Sequence, residues 1–236
     1  MVDLKEERKY EQLRKLGQEL HIPIPEAFWE FEVFDKDHNL IQRHRQRSHS
    51  WVRNAYNLLL SQMAGKNLDD AGTFGAGYLN IKWTYGTVVS GAKVASIGSG
   101  EQSGNSYRAP AGSNNHGIQV GTATDAESLE DYVLTGLIAE GTGAGQLNYI
   151  LSEVPGKSYD GPSKVFTITQ VRYFNNNSGG AIGVNEVALT TYGVGPGTHT
   201  AQDKWVMSRD KLPETVNVPD TGQLKVTYTI QLTYPA

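Results

Sequence analysis

The sequence predicts a mainly β fold, an antiparallel β-sandwich of jelly-roll-like type with an N-terminal helical and hairpin appendage. The chain of 236 residues contains 26 glycines, and much of it consists of short apolar runs separated by turn-forming residues. The run from 223 to 234 alternates, with apolar residues at even positions and polar residues at odd ones. This alternation predicts a strand with one buried face.

A change in composition near residue 63 predicts two parts. Residues 1–63 hold ten Lys/Arg and ten Asp/Glu, whereas residues 64–236 hold eleven and fifteen, together with most of the glycine. We interpret 1–63 as an attachment region made of a helix, a hairpin and a second helix. We interpret 64–236 as the β-sandwich domain.

The first helix is predicted from about residue 3 to residue 20. Leu13, Leu16 and Leu20 repeat at spacings of three and four in an otherwise charged segment, which places them in a narrow apolar stripe. The sequence HIPIP then ends the helix, because proline lacks a backbone donor. So thin a stripe predicts a partner surface for this helix.

A hairpin and a second helix complete the attachment region. FEVFDKDHNLI predicts two short strands about a DKDHN turn. Ser48 or Ser50 is a candidate cap for a helix over WVRNAYNLLLSQM. One face of this helix is predicted to be buried, and its residues are Trp51, Ala55, Leu58, Leu59 and Met63.

The second part of the chain predicts many strands. The predicted strands are YLNIKWTY, TVVSGAKVASI, GIQVG, LTGLIAE, QLNYILSE, KVFTITQVRYF, AIGVNEVALTTYG, DKWVMSRD, ETVNV and QLKVTYTIQLTY. The polar, glycine-rich segment at about 98–116 is predicted to be an exposed loop, as is the NNNSGG tract at 175–180.

The two runs around NNNSGG predict a hairpin. Antiparallel pairing about this loop sets Tyr173 opposite Ile182 and Val171 opposite Val184, and it matches two further apolar pairs. In both runs the apolar residues switch midway from even-numbered to odd-numbered positions, which is a change of parity. We therefore expect this hairpin to leave one core and cover a second surface, either the other sheet or another subunit.

Composition and motifs exclude several kinds of chemistry. The net charge of −4 argues against a nucleic-acid partner, and the chain has no cysteine and no run long and apolar enough to span a membrane. PGKS lacks the upstream glycine of a phosphate loop. Asp35, Asp37 and Asn39 imitate a calcium loop but lack its glycine and its final glutamate. No catalytic residue, cofactor or metal site is predicted.

The densest positive patch is QRHRQRSHSWVR. In extended backbone Arg43, Arg45 and Arg47 share one face, where they could bind a phosphate or a carboxylate-rich partner. A solvated face, or one paired with charges of another subunit, is the alternative.

Three segments resemble a recurrent group of tailed-bacteriophage virion proteins. They are GIQVGTATDAESLEDYVLTGLIAEGTGAGQLNY, TITQVRYFNNNSGGAIGVNEVAL and MSRDKLPETVNVPDTGQLKVTYTIQL, and together they span about 116–236. The resemblance implies a jelly-roll-like sandwich that serves as an accessory structural piece of the head, neck or tail. It implies no catalytic residues and a homo-oligomer, such as a trimer or a ring, made in the host cytoplasm and built into the virion.

Docking on other virion subunits is therefore the first functional hypothesis. The interface candidates are Leu13, Leu16, Leu20, Arg43, Arg45, Arg47, Val171, Tyr173, Ile182 and Val184. The alternative is a module of a phage tail that binds host-surface glycans through Trp83, Tyr85, Tyr107 and Tyr192. A third hypothesis takes Asp220 of PDTG as half of a dimeric aspartic protease site, against the simpler reading of PDTG as a turn.

Overall fold

The computed structural model of the chain describes residues 4–64, 81–89, 107–193 and 203–235. Helix α1 spans Leu4–Leu20 and helix α2 spans Arg53–Ala64. The strands of the described part are β1 (Ile24–Phe34), β2 (Leu40–Arg47), β3 (Ile81–Lys82), β4 (Val88–Val89), β5 (Gly117–Gly121), β6 (Asn148–Tyr149), β7 (Gly156–Asp160), β8 (Val165–Asn175), β9 (Ile182–Gly193), β10 (Asp203–Val218) and β11 (Gln223–Thr233).

Two antiparallel sheets form the body of the protein. Sheet A has the order β2-β1-β11-β8-β6, with β7 also paired to β8, and sheet B has the order β10-β9-β5. Inward side chains of both sheets share one apolar core, which includes Trp29 and Phe31 from sheet A and Val187 and Leu189 from sheet B. The predicted mainly β fold is confirmed, and the arrangement is compatible with a β-sandwich.

The alternation predicted for the strand at 223–234 is confirmed. Leu224, Val226 and Tyr228 are buried in the core, and the odd residues between them lie on the opposite face of sheet A. The same period brings Trp29 and Phe31 of the neighbouring β1 into the core. Because β1 and β11 direct alternate residues into the core, sheet A has an inner face against sheet B and an outer face directed away from it.

The predicted hairpin about NNNSGG is wrong. Strand β8 belongs to sheet A and pairs with β11, whereas β9 belongs to sheet B and pairs with β10 and β5. The connection crosses between the sheets at Asn176, whose buried amide donates to Gly180 O (2.8 Å) and Val218 O (2.9 Å). Two alternating strands on either side of any short loop produce matched parities, so the match did not establish pairing.

The two parity changes have different explanations. On β9 the change is real, because Ile182, Val184, Val187 and Leu189 all lie in the core. The change lies opposite a bulge in the facing strand β10, where the register shifts between Lys211 and Val216. On β8 the register with β11 is regular, so the even residues point inward throughout and the predicted change does not occur.

The N-terminal elements lie close to their predicted positions. The predicted hairpin is β1 and β2, and it is an integral part of sheet A. The second helix begins at Arg53, later than predicted, because Trp51 forms a β-bridge with Ser208 instead. Leu58 is buried as expected, whereas Leu59 is exposed. The proposed boundary at residue 63 remains a prediction, since the following residues 65–80 lie outside the described part.

Several predicted strands are shorter or absent in the described part. LTGLIAE forms only isolated bridges at Leu137 and Glu140, and QLNYILSE is reduced to the two residues of β6. DKWVMSRD and ETVNV form the single strand β10, which is bulged between them. Strand β7 was not predicted. All of its residues are exposed, so its sequence does not show the alternation of apolar and polar residues that marks a half-buried strand.

A matched pair of threonine substitutions tests these orientations. Val184 is fully buried, so Val184→Thr places a hydroxyl in the core and is expected to lower the free energy of unfolding by about 1 to 2 kcal/mol. Val171 faces outward opposite Thr227, and Val171→Thr is expected to change it by less than about 0.5 kcal/mol. Urea unfolding followed by tryptophan fluorescence measures both. Equal losses for the two variants would contradict the assigned faces.

Candidate functional site

Helix α1 is held on the outer face of sheet A by a network of ion pairs. Arg14 donates to Glu26 (2.6 Å) and to Glu7 (2.8 Å), and Arg47 of β2 pairs with the same two carboxylates. The Arg47 guanidinium also lies 3.8 Å from the centre of the Tyr10 ring. Hydrogen bonds from Arg14 and Arg47 lower the pKa of Glu7 below its usual value. Side chains from α1, β1 and β2 therefore fix the helix in place.

Close backbone packing adds to this attachment. Gly17 is the buried residue of α1, and a Cβ atom there would lie 2.6 Å from Ile24 Cγ1. Only glycine allows the end of the helix to approach β1 this closely. The residues that α1 turns toward the protein are thus mainly charged, polar or small.

The predicted leucine stripe lies on a different side of α1. Leu13, Leu16 and Leu20 are 42%, 49% and 57% exposed. In an ordinary surface helix the apolar stripe faces the core of its own domain and the charged residues face water. In α1 this arrangement is reversed, which leaves the stripe available to another surface.

The three arginines of β2 have different environments. Arg43 donates to Glu30 (2.6 Å) on β1 and lies 3.9 Å from Glu32. Arg45 is exposed, and its guanidinium lies 4.7 Å from the centre of the Phe28 ring. Arg47 is buried in the α1 network. The three arginines share one face of β2, as expected for extended backbone, and the carboxylates that pair with Arg43 and Arg47 belong to the same chain.

The alternating glutamates of β1 were not singled out from the sequence, although a signal was present. Glu30 and Glu32 stand directly opposite Arg45 and Arg43 in the register of β1 and β2. Alignment of EFEVF with RHRQR across the predicted DKDHN turn would have placed these opposite charges together. Arg14 carries no comparable signal, because its partner Glu26 depends on where α1 docks.

The remaining interface candidates lie in two different parts of the fold, the outer face of sheet A and the core. Val171 and Tyr173 are half-buried on the outer face of sheet A, which also carries the arginines of β2. Ile182 and Val184 lie in the core between the sheets. In this fold they contact the other sheet, which was one of the two predicted alternatives.

A groove of about 500 Å³ lies between the edge strands of the two sheets, β2 and β10. Its lining includes His44, Arg45 and Gln46 of β2 and Lys211 of β10. His44 is buried, with Nδ1 3.2 Å from Glu214 and Nε2 2.9 Å from the Gln46 side-chain oxygen. Lys211 was not predicted from the sequence, because its position depends on the packing of β10 beside β2.

A buried carboxylate links the segment after β2 to sheet B. Asp210 accepts hydrogen bonds from Trp29 Nε1 (2.7 Å), Ser48 Oγ (2.6 Å) and the His49 backbone N–H (2.8 Å). Burial raises the pKa of Asp210, and the three donors oppose that effect. The His49 ring bonds instead to Glu6. With no imidazole at Ser48 Oγ, this cluster serves as a structural link.

Two sequence motifs are turns in the structure. Asp35 accepts hydrogen bonds from the backbone of Asp37 and Asn39 (both 2.9 Å), so it closes the tip of the β1–β2 hairpin. Asp220 lies in the turn between β10 and β11, where it accepts from Gly179 N (2.9 Å). Among the described residues, no group of three or more His, Asp or Glu is arranged to hold a metal ion.

The four aromatic residues considered for glycan binding differ in exposure. Tyr85 is 61% exposed and lies 5.0 Å from the Trp83 ring. Tyr107 packs against the main core, and Tyr192 is half-buried 5.6 Å from the His116 ring. Of these four residues, Tyr85 has a largely exposed ring, and it lies beside the partly covered ring of Trp83.

Comparison of the chain with protein-family models, curated proteins and solved structures finds no match. Within the described ranges, neither helix has the length and apolar character needed to cross a membrane. The features of the described part that bear on function are the outer face of sheet A, helix α1 and the groove beside β2.

Proposed function

We propose that the protein is a structural component of a tailed-bacteriophage virion, a non-enzymatic accessory or decoration piece that self-assembles and docks on other virion subunits. The resemblance over about 116–236 supports this proposal, as does the pairing of β1 with β11, which a jelly-roll-like sandwich also requires. Its partners would be capsid, neck or tail subunits and further copies of the chain. Its location would be the assembled virion.

The observation that carries the proposal is the reversed orientation of α1. The helix is fixed to sheet A through Glu7, Arg14 and Arg47, and its leucines project outward. A rigidly held apolar stripe is suited to burial against a neighbouring subunit, because little conformational entropy is lost when it docks. Residues 1–63 would then act as the attachment region, as the sequence predicts.

Substitutions in the stripe test this role. The double variant Leu13→Glu, Leu16→Glu is expected to abolish self-association and incorporation into particles, because it places charges in the docking surface. The free energy of unfolding is expected to change by less than about 0.5 kcal/mol, since both side chains are exposed in the single chain. Light scattering after size exclusion and mass spectrometry of purified particles measure the two effects.

Val154→Glu is the matched control, because Val154 is an apolar side chain that is 71% exposed but lies outside α1. It is expected to leave assembly unchanged. Normal incorporation of the double leucine variant would contradict the role of α1. Absence of the parent protein from particles would remove the virion proposal altogether.

Binding of host-surface glycan is the second candidate, because Tyr85 is largely exposed beside Trp83. Sugar rings stack on exposed aromatic faces of this kind. A glycan array without any hit would dismiss this candidate and leave the structural role unaffected.

A further inference from the structure

Strand β2 is the end of sheet A, and its outer edge is unpaired among the described residues. The register pairs β2 with β1 alone. Ser48 N donates to Ala27 O (2.9 Å), and these residues continue the register in which Trp29 faces Gln46. Hydrogen-bonded and non-bonded pairs alternate in an antiparallel ladder. Gln46 and His44 therefore bond to β1, and the backbone groups of Arg43, Arg45 and Arg47 point away from it.

The groove described above runs beside this edge. On its inner side the glutamine side chains of β2 bond to the backbone of β10, with Gln46 donating to Lys211 O (3.1 Å) and Gln42 to Thr215 O (3.3 Å). Gln42 also accepts from Asn217 N (3.0 Å). These bonds hold the edges of the two sheets together through side chains. No described strand of the chain occupies the groove or pairs with β2 there.

Two cations beside this edge are suited to contact an acidic ligand. Arg45 has its contact with the Phe28 ring, and no carboxylate in the described part pairs with it or with Lys211. Two carboxylates, those of Glu127 and Glu6, also line the groove, and each is held by a hydrogen bond within the chain. Glu127 accepts from Lys211 N (2.8 Å), and Glu6 bonds to the His49 ring. Two exposed cations therefore lie on either side of a free row of backbone donors and acceptors.

We propose that the edge of β2 binds an extended acidic segment of a partner protein by strand addition. The partner's backbone pairs with the outward N–H and C=O groups of Arg43 and Arg45, and carboxylates on its two faces contact Arg45 on one side and Lys211 on the other. This inference deepens the proposed function and rests on it where the partner is a virion subunit. It uses residues separate from the leucine stripe, so either proposal can fail alone.

A fluorescein-labelled peptide of three Val-Glu-Glu repeats, which carries glutamate on both faces of an extended strand, tests the proposal with the full chain. We expect saturable binding in fluorescence polarisation and slowed hydrogen exchange at the amides of Arg43 and Arg45. A matched peptide with lysine in place of glutamate is expected not to bind. An edge that carries arginines only to prevent association, as many exposed edges do, would bind neither peptide and overturn the proposal.

Three variants test the backbone and the charge. Arg45→Pro removes an outward N–H together with one cation, without breaking a bond to β1, so it should fold and lose the peptide. Arg45→Glu together with Lys211→Glu should weaken binding at least tenfold. Lys36→Glu on the tip of the same hairpin is the control and should bind as the parent does. Binding of the acidic peptide within twofold of the parent in both Arg45 variants would overturn the proposal.

Discussion

Replacement of Arg172 by methionine is expected to lower the free energy of unfolding by about 3 to 5 kcal/mol, at the upper end of single-site effects. The fully buried guanidinium donates to the carbonyl oxygens of Ile150 (3.0 Å), His116 (3.0 Å), Ile118 (3.1 Å) and Pro110 (3.2 Å), and also to Ser113 O. Methionine fills a similar volume but donates nothing, so several buried carbonyl groups lose their partner.

Burial lowers the pKa of Arg172 to about 10, which leaves the side chain cationic at neutral pH. Its guanidinium is 4.8 Å from the Tyr149 ring centre, an additional favourable contact for a buried cation. The cost of burying this charge is offset by the carbonyl oxygens and the aromatic ring, since no carboxylate is among its hydrogen-bond partners. Arg172→Lys keeps the charge but offers three donors, so we expect an intermediate loss.

Urea denaturation followed by tryptophan fluorescence measures these losses. Arg108 provides the matched control, because it is half-buried and its Nε donates to a single carbonyl, Ser152 O (3.1 Å). Arg108→Met is expected to cost about 1 kcal/mol. A loss for Arg172→Met no larger than that of Arg108→Met would show that the carbonyl cluster does not depend on the guanidinium.

Removal of Arg209 is the second large effect. Its Nε donates to Glu186 (2.8 Å) and its Nη1 to Asp131 (2.9 Å), and Glu186 is fully buried. In Arg209→Met the Glu186 carboxylate keeps only the Gly136 N–H (2.8 Å) among its described partners. An uncompensated buried charge of this kind typically costs about 3 to 5 kcal/mol.

A double variant shows whether Arg209→Met destabilises the protein through an unpaired charge or through lost packing. Adding Glu186→Leu to Arg209→Met removes the charge as well, so the double variant is expected to recover part of the loss. Arg53, which pairs with Glu130 at the surface, is the control, and Arg53→Met should leave the urea midpoint unchanged. A double variant less stable than Arg209→Met, or an equal loss for Arg53→Met, would contradict this account.

Local periodicity predicted the strands and helices whose buried and exposed faces follow from the pattern of apolar residues in their own sequence. The alternation of β11 identified its buried residues, and the spacing of leucines placed α1 and its stripe correctly. The same reasoning failed on β8, where Val171 and Tyr173 were read as the buried parity. Arg172 lies in the core instead, because the segment around 110–118 supplies carbonyl oxygens that only a buried donor can satisfy.

The candidate site was predictable in part. The arginines of β2 stood out as a charged, extended run, but their status as a sheet edge follows from strand order, which composition and periodicity do not specify. The groove depends on β10, whose contribution of Lys211 requires the two sheets to be packed. Pairing of β8 with β9 was the wrong inference because a short connection between strands can join two sheets as readily as two neighbours.

The pairing of β1 with β11 has a consequence for synthesis on the ribosome. Ile24 pairs with Thr233, so the apolar side of the β1–β2 hairpin gains its neighbour only after nearly all of the described chain has been translated. Until then Trp29 and Phe31 are exposed on the nascent chain. Such non-local pairing folds slowly and leaves strand edges open to association. The N-terminal hairpin therefore keeps an open apolar edge on the nascent chain until β11 has been synthesised.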